Sequence, residues 1–129
     1  MLKITPVTDK ELQKEYCEKV GIPYDADKMC YAAYDDGVFR GISLFRIVGK
    51  SCVIYNIKLL CGIDDFLAVY LLGKAPMSFC EKIGIMHAIY EDEDKELAKK
   101  LEFVEKDGRY EVSLEGYFTT PCQKHGCKE

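Results

Sequence analysis

Apolar and polar residues alternate over Leu2 to Val7 (Leu2, Ile4 and, past Pro6, Val7), and that period of two predicts a strand. Thr8, followed three residues later by Glu11, has the form of a capping box, in which hydroxyl and carboxylate each take an orphan backbone N–H at a helix start. A helix over residues 9–20 is expected, with Leu12, Tyr16 and Val20 as its apolar stripe and Gly21 and Pro23 as its stop. Three strand-like runs follow, Cys30 to Tyr34, Val38 to Val48 and Cys52 to Leu60, parted by Asp35-Asp36-Gly37 and Gly49-Lys50-Ser51. Short glycine-containing breaks of this kind make hairpins, so these runs form an antiparallel meander. Strict alternation in the third run places Val53, Tyr55, Ile57 and Leu59 on one apolar face and Cys52, Ile54, Asn56 and Lys58 on the other.

Asp64 and Asp65 open a longer segment in which Leu67, Leu71, Ala75, Phe79 and Ile83 recur every four residues, the period of the main helix, closed by Gly84. Asp64 is the expected N-cap. Gly73 and Pro76 lie inside the segment, and proline cannot donate to the carbonyl four residues back, so a kink or break is expected near 73–76. Ile85 to Tyr90 is apolar enough for a central strand. The acidic Glu91-Asp92-Glu93-Asp94 then reads as the solvated start of a short helix reaching Leu101, its charges facing the positive end of the helix dipole. Phe103 to Lys106 and Arg109 to Leu114, joined by Asp107-Gly108, complete the pattern with a two-residue hairpin.

The order strand, helix, three strands, long helix, strand, short helix, two strands defines an α+β (mixed α/β) domain. The long crossover makes the Cys52–Leu60 and Ile85–Tyr90 strands parallel neighbours in an otherwise antiparallel sheet of about six or seven strands with about three helices. With 129 residues the chain suffices for one core, so residues 1–118 are expected as a single domain and 119–129 as a polar tail.

Charge and cysteine content narrow the function. Eighteen Lys and Arg against 22 Asp and Glu give a net charge of −4, with no basic surplus to neutralise a phosphate backbone, so nucleic acid is not an expected partner. No apolar run approaches the roughly 20 residues of a membrane span, and Met1-Leu2-Lys3-Ile4-Thr5 lacks a signal-peptide core, so a cytoplasmic protein without membrane association is expected. The cysteines number seven, an odd count that argues for reduced thiols. Cys17, Cys30, Cys52, Cys61 and Cys80 lie in apolar stretches and read as small hydrophobes. Cys122, His125 and Cys127 differ: two thiols and an imidazole within six residues form a candidate metal or redox cluster.

Taken together, the element order, the meander Tyr31-Ala32-Ala33-Tyr34-Asp35-Asp36-Gly37 to Ile47, the helix end Glu81-Lys82-Ile83-Gly84-Ile85 and the stretch Lys99-Lys100-Leu101-Glu102-Phe103 resemble the GNAT family of N-acetyltransferases over residues 1 to about 118. The resemblance implies acyl-CoA-dependent transfer to an amine, with acetyl-CoA as the cofactor in a V-shaped opening between the two parallel strands. It implies pantetheine bonded to the end of the first strand and pyrophosphate on the amides of the following helix start, which places Leu59, Leu60, Phe66, Leu67 and Ala68 as the cofactor-binding positions. The sequence departs from the family pattern at several positions. Ile63 and Phe66 replace the basic or amide residue and the first glycine of the phosphate loop, Asp64 and Asp65 put carboxylates there, and Ala68 alone fits. Ala98 stands where many members carry the tyrosine that protonates the leaving thiolate, Glu102 replaces a glycine, and Asn56 replaces the basic-catalyst glutamate of some members. His87 and Tyr90 are the titratable alternatives nearest in sequence, each with a plain packing role as its competing reading.

Three functions follow from these residues: a GNAT-like acyltransferase working by proximity and orientation; a GNAT-shaped module without acetyl-CoA that binds another small molecule or a protein in the cleft between the parallel strands; and a metal- or redox-responsive protein acting through its cysteine-rich tail. An unpaired edge strand would allow a homodimer.

Overall fold

The computed structural model describes residues 1–118. Candidate ligands Cys122, His125 and Cys127 therefore lie outside the described residues, and within the described residues no cluster of three or more metal-ligating side chains occurs. The elements run β1 (Leu2–Val7), α1 (Lys10–Val20), β2 (Met29–Asp35), β3 (Val38–Val48), β4 (Ser51–Leu59), α2 (Phe66–Lys82), β5 (His87–Tyr90), α3 (Lys95–Lys100), β6 (Val104–Lys106) and β7 (Arg109–Ser113). They form one seven-stranded sheet of order β1-β2-β3-β4-β5-β7-β6. β4 and β5 are parallel, as the crossover through α2 requires, and the other pairs are antiparallel. This is the expected mixed α+β architecture.

Two helix starts differ from expectation by one residue. α1 is capped by Asp9, whose carboxylate accepts from Glu11 and Leu12 N–H, and not by Thr8. α2 is capped by Asp65, not Asp64. In both, aspartate holds the N-cap with extended backbone and accepts from the first helical turn. Of the kink or break expected near 73–76, no break occurs: α2 runs through Pro76 and is continuous for 17 residues. Gly73 serves another purpose, since a Cβ there would lie 2.6 Å from the Leu101 side chain; its absence lets α2 and the end of α3 close on each other.

The alternation expected in β4 is interrupted. Opposite β3, Leu44 pairs with Asn56 and Phe45 with Ile54, leaving Tyr55 as an extra residue in a β-bulge. The bulge reverses the phase of the strand, so Cys52 and Ile54 join Ile57 and Leu59 in the core beneath α2. That core also takes Leu72, Met77 and Cys80 from α2 and Leu97, Ala98 and Leu101 from α3. A smaller core on the other face seats Tyr16, Cys17 and Val20 of α1 on Cys30, Ala32, Ile42 and Leu44.

Gly41 pairs with Leu59, and a Cβ at 41 would stand 2.5 Å from the Lys58 carbonyl oxygen. Gly41→Ala should therefore cost about 1–3 kcal/mol in urea denaturation, the usual range for overpacking against groups that cannot yield. Cysteine environments give a second test. Cys17, Cys30, Cys52 and Cys80 are buried, and burial pushes the Cys30 thiol up to about 12, whereas Cys61 is exposed, contrary to the expectation from its apolar neighbours. Alkylation of the native chain followed by peptide mapping should modify Cys61 quickly and leave Cys17, Cys30, Cys52 and Cys80 unmodified until the chain unfolds.

Candidate functional site

The parallel ladder is short: it runs from Ser51 opposite His87 to Ile54 opposite Tyr90. One more backbone bond follows, Glu91 N–H to Ile54 O at 2.8 Å. The Tyr55 bulge then carries β4 away, leaving a wedge between the C-terminal ends of the two strands. The wedge opens into a cleft of about 630 Å³ lined by the end of β4, loop residues 60–65, Phe66 and Val69 of α2, and Asp94. Clefts at the carboxyl ends of parallel strands are a usual place for ligands.

Its floor is polar. Asp92, in the run read as a solvated helix start, is half-buried: one carboxylate oxygen accepts from Ile57 N–H (3.4 Å), the other from Asp94 N–H (3.2 Å) and from the Tyr90 hydroxyl (3.3 Å). The carboxylate thus bridges the two diverging strands where the sheet ladder can no longer do so. Burial raises its pKa above the ordinary carboxylate value, against the opposing effect of these three donors. Tyr90 is 2% exposed and also donates to the Asp94 carbonyl at 2.7 Å. Burial first, and the Asp92 and Asp94 carboxylates next, push its phenol well above its usual value.

The sequence candidates separate in space. Leu59, Leu60 and Phe66 line the cleft. Ala68 is fully buried beneath it, and Leu67, 55% exposed, points elsewhere and is not among the lining residues. Tyr90 is buried, is not among the lining residues and has its proton committed to the Asp94 carbonyl, so it is not an available acid. His87 begins β5, at the opposite end of the strand from the cleft, bonded to Ser51 Oγ and Glu111 (2.7 Å each). His87 and Tyr90, the titratable alternatives nearest in sequence, do not share the cleft: three residues along β5 put them at opposite ends of the strand. Cys61, which lines the cleft, and Asp92, which holds the amide of the lining residue Ile57, carry no signal in the sequence pattern. An isolated acidic run carries no signal of burial, and only the position of Asp92 two residues past a central strand hints at it.

Pyrophosphate bound at the start of α2 would need free amides and no competing anion. Here Asp65 Oδ1 accepts the Ala68 N–H at 3.1 Å, and Asp64 and Asp65 both line the cleft. Like charges about 4 Å apart repel by about 1 kcal/mol even in bulk water. The Ile57 amide, at the strand end where pantetheine would bond, is held by Asp92. The residues present do not fit acetyl-CoA.

No family model and no curated protein matches the sequence. Solved structures do. The IAA acetyltransferase of Bacillus cereus ATCC 14579 superposes with a TM-score of 0.67 at 13% identity, covering 88% of this chain and all of that one. The ribosomal-protein-S18-alanine N-acetyltransferase of Escherichia coli gives 0.64 at 14% identity over 88% and 90% of the two chains. The paia N-acetyltransferase of Thermoplasma acidophilum, solved with coenzyme A, gives 0.62 at 11% identity over 88% and 99%. The chain has the GNAT acetyltransferase fold. No helix among the described residues is long and apolar enough to cross a membrane.

The raised pKa of Asp92 has a direction in pH. Because the folded chain favours the protonated carboxyl, the stability this group contributes is full below the ordinary value of 3.8 and is lost as pH climbs through the raised folded value. In urea titrations at several pH values between about 4 and 7, the stability of the native chain relative to Asp92→Asn should fall as pH rises; a constant or widening advantage would contradict the assignment.

Proposed function

We propose that this chain is a GNAT-fold binding protein that does not use acyl-CoA and takes a small cationic ligand, an amine, in the cleft at the diverging ends of β4 and β5. The observation that carries this reading is the charge of the cleft. Asp64, Asp65 and Asp94 line it against Lys58, the one basic lining residue among the described residues, and Asp65 already occupies the helix-start amide that a phosphate would need. A cleft that focuses negative potential attracts cations and repels a cofactor carrying several phosphate charges. The apolar walls, Leu59, Leu60, Phe66 and Val69, suit the hydrocarbon part of an alkyl amine or polyamine.

Acyl transfer is the second reading, supported by the strand divergence itself and by the acetyltransferases that share the fold. In that case the chain would supply orientation and little acid–base chemistry, since Ala98 and Asn56 offer no titratable group and Tyr90 is locked.

Thermal unfolding separates the two. A ligand at about 100 times its Kd adds roughly 2.7 kcal/mol, enough to raise the midpoint of a domain this size by several degrees. Millimolar acetyl-CoA or CoA should leave the midpoint unchanged, whereas a polyamine such as spermidine should raise it in a salt-sensitive way. Asp64→Asn with Asp65→Asn, which keeps a capping side chain while removing both charges, should abolish the polyamine shift. A saturable rise with acetyl-CoA in the native chain, or turnover of any amine above the uncatalysed rate, would overturn the proposal in favour of acyl transfer.

A further inference from the structure

The face of β4, β5 and β7 turned away from α2 carries Ser51 and Val53, then His87 and Ile89, then Arg109, Glu111 and Ser113, because Cys52, Ile54, Ala88, Tyr90, Tyr110 and Val112 point into the other side. α1 packs against β1 and β3 on this side of the sheet, leaving the β4-β5-β7 portion without a helix of its own. On that open portion, Ser51 Oγ lies 2.7 Å from His87 Nδ1, and His87 Nε2 lies 2.7 Å from Glu111 Oε1. The other Glu111 oxygen is 3.8 Å from the Arg109 guanidinium.

For a neutral imidazole the donors and acceptors give one proton arrangement. An ionised Glu111 can only accept, so the Nε2 proton belongs to the imidazole, Nδ1 is left as an acceptor, and the Ser51 hydroxyl donates to it. That is a serine poised to lose its proton to a base whose tautomer is held by a carboxylate. The ring nitrogens are used in the reverse of the order familiar from serine proteases, while the roles are the same. The register builds the array: Ser51 is opposite His87, and Glu111 sits one rung further along, opposite Ile89, so the carboxylate reaches the imidazole diagonally. Val53 and Ile89, 6% and 8% exposed, stand beside it two residues along the same face, an apolar border that strengthens the neighbouring hydrogen bonds. An open depression of about 320 Å³ lined by Lys106, Asp107, Arg109 and Glu111 adjoins it.

We infer that Ser51, His87 and Glu111 form a second chemical site, a serine nucleophile array that acts on carboxylic esters. Ser51 Oγ attacks the ester carbonyl carbon, and its proton passes to His87 Nδ1. The bond to the alcohol oxygen breaks and the alcohol leaves with that proton. Water then attacks the acyl-serine, its proton returns through His87 to Ser51 Oγ, and the carboxylic acid is released. The sum is ester plus water to acid plus alcohol. Glu111 is a positioning residue, holding the ring and its tautomer. This site is at the opposite end of the parallel pair from the cleft and stands or falls independently of the ligand proposed there.

The test uses the full chain and a fluorophosphonate, with which Ser51 Oγ forms a bond to phosphorus as fluoride leaves. Intact-mass measurement and peptide mapping should find one adduct, on Ser51, absent from Ser51→Ala. His87→Gln should slow its formation about 100-fold, the scale of a general base. Glu111→Gln should lower the maximal rate of adduct formation while leaving the half-saturating reagent concentration unchanged, a split that simple loss of folding would not give. Hydrolysis of 4-nitrophenyl acetate should fall in Ser51→Ala to the rate of the urea-unfolded chain. No adduct, an adduct elsewhere, or an equal rate in His87→Gln or in urea would overturn the inference.

Discussion

The extra residue at Tyr55 is the constraint on which the geometry of this protein turns. A strand paired on both sides normally keeps its register to its end, but two residues of β4, Tyr55 and Asn56, face the single Leu44 of β3. The bulge keeps β4 bonded to β3 while bending it away from β5, so the parallel ladder stops at Ile54 and Tyr90. It also flips the phase of the strand, which brings Ile57 and Leu59 into the same core as Cys52 and Ile54. Gly41 complements the bulge from the other side, since only a residue without Cβ lets β3 approach Leu59 so closely. One inserted residue thus sets the cleft, its floor and the composition of the main core.

Carboxylate side chains of the chain itself fill part of the resulting gap. Diverging strands leave backbone donors that must find partners, because a buried N–H without one costs about 1–3 kcal/mol. A ligand can supply the acceptor, or the protein can. Here Asp92 does so for Ile57, and Asp65 does so for Ala68 at the start of α2. Of the two, Asp65 lines the cleft and brings carboxylate charge into it. The fold supplies the concavity and the side chains decide its charge.

The two ends of the parallel pair have different characters for a related reason. At the C-terminal end the strands separate and carboxylates bridge the gap. At the N-terminal end the strands stay paired, and side chains on the face away from α2 meet across the ladder, Ser51 directly opposite His87 and Glu111 on the diagonal.

Periodicity alone carried the element order, the crossover and hence the parallel pair, because hydrophobic spacing, glycine turns and helix stops are local properties written into neighbouring residues. The Asp107-Gly108 turn, with φ of +55° and +80°, and the Gly21 helix stop at +82° are of this kind. Elsewhere the tertiary structure decided. Nothing in Cys52-Val53-Ile54-Tyr55-Asn56-Ile57 announces a bulge, because two-residue alternation reads the same whether or not the partner strand skips a place. Cys61 has apolar neighbours in sequence but lies in a surface loop, and Asp92 has acidic neighbours yet sits half-buried between strands. The separation of His87 from Tyr90, and the meeting of His87 with Ser51 and Glu111, 36 and 24 residues away, depend on strand register. Register is set by the packing of the whole sheet, and no local pattern of residues contains it.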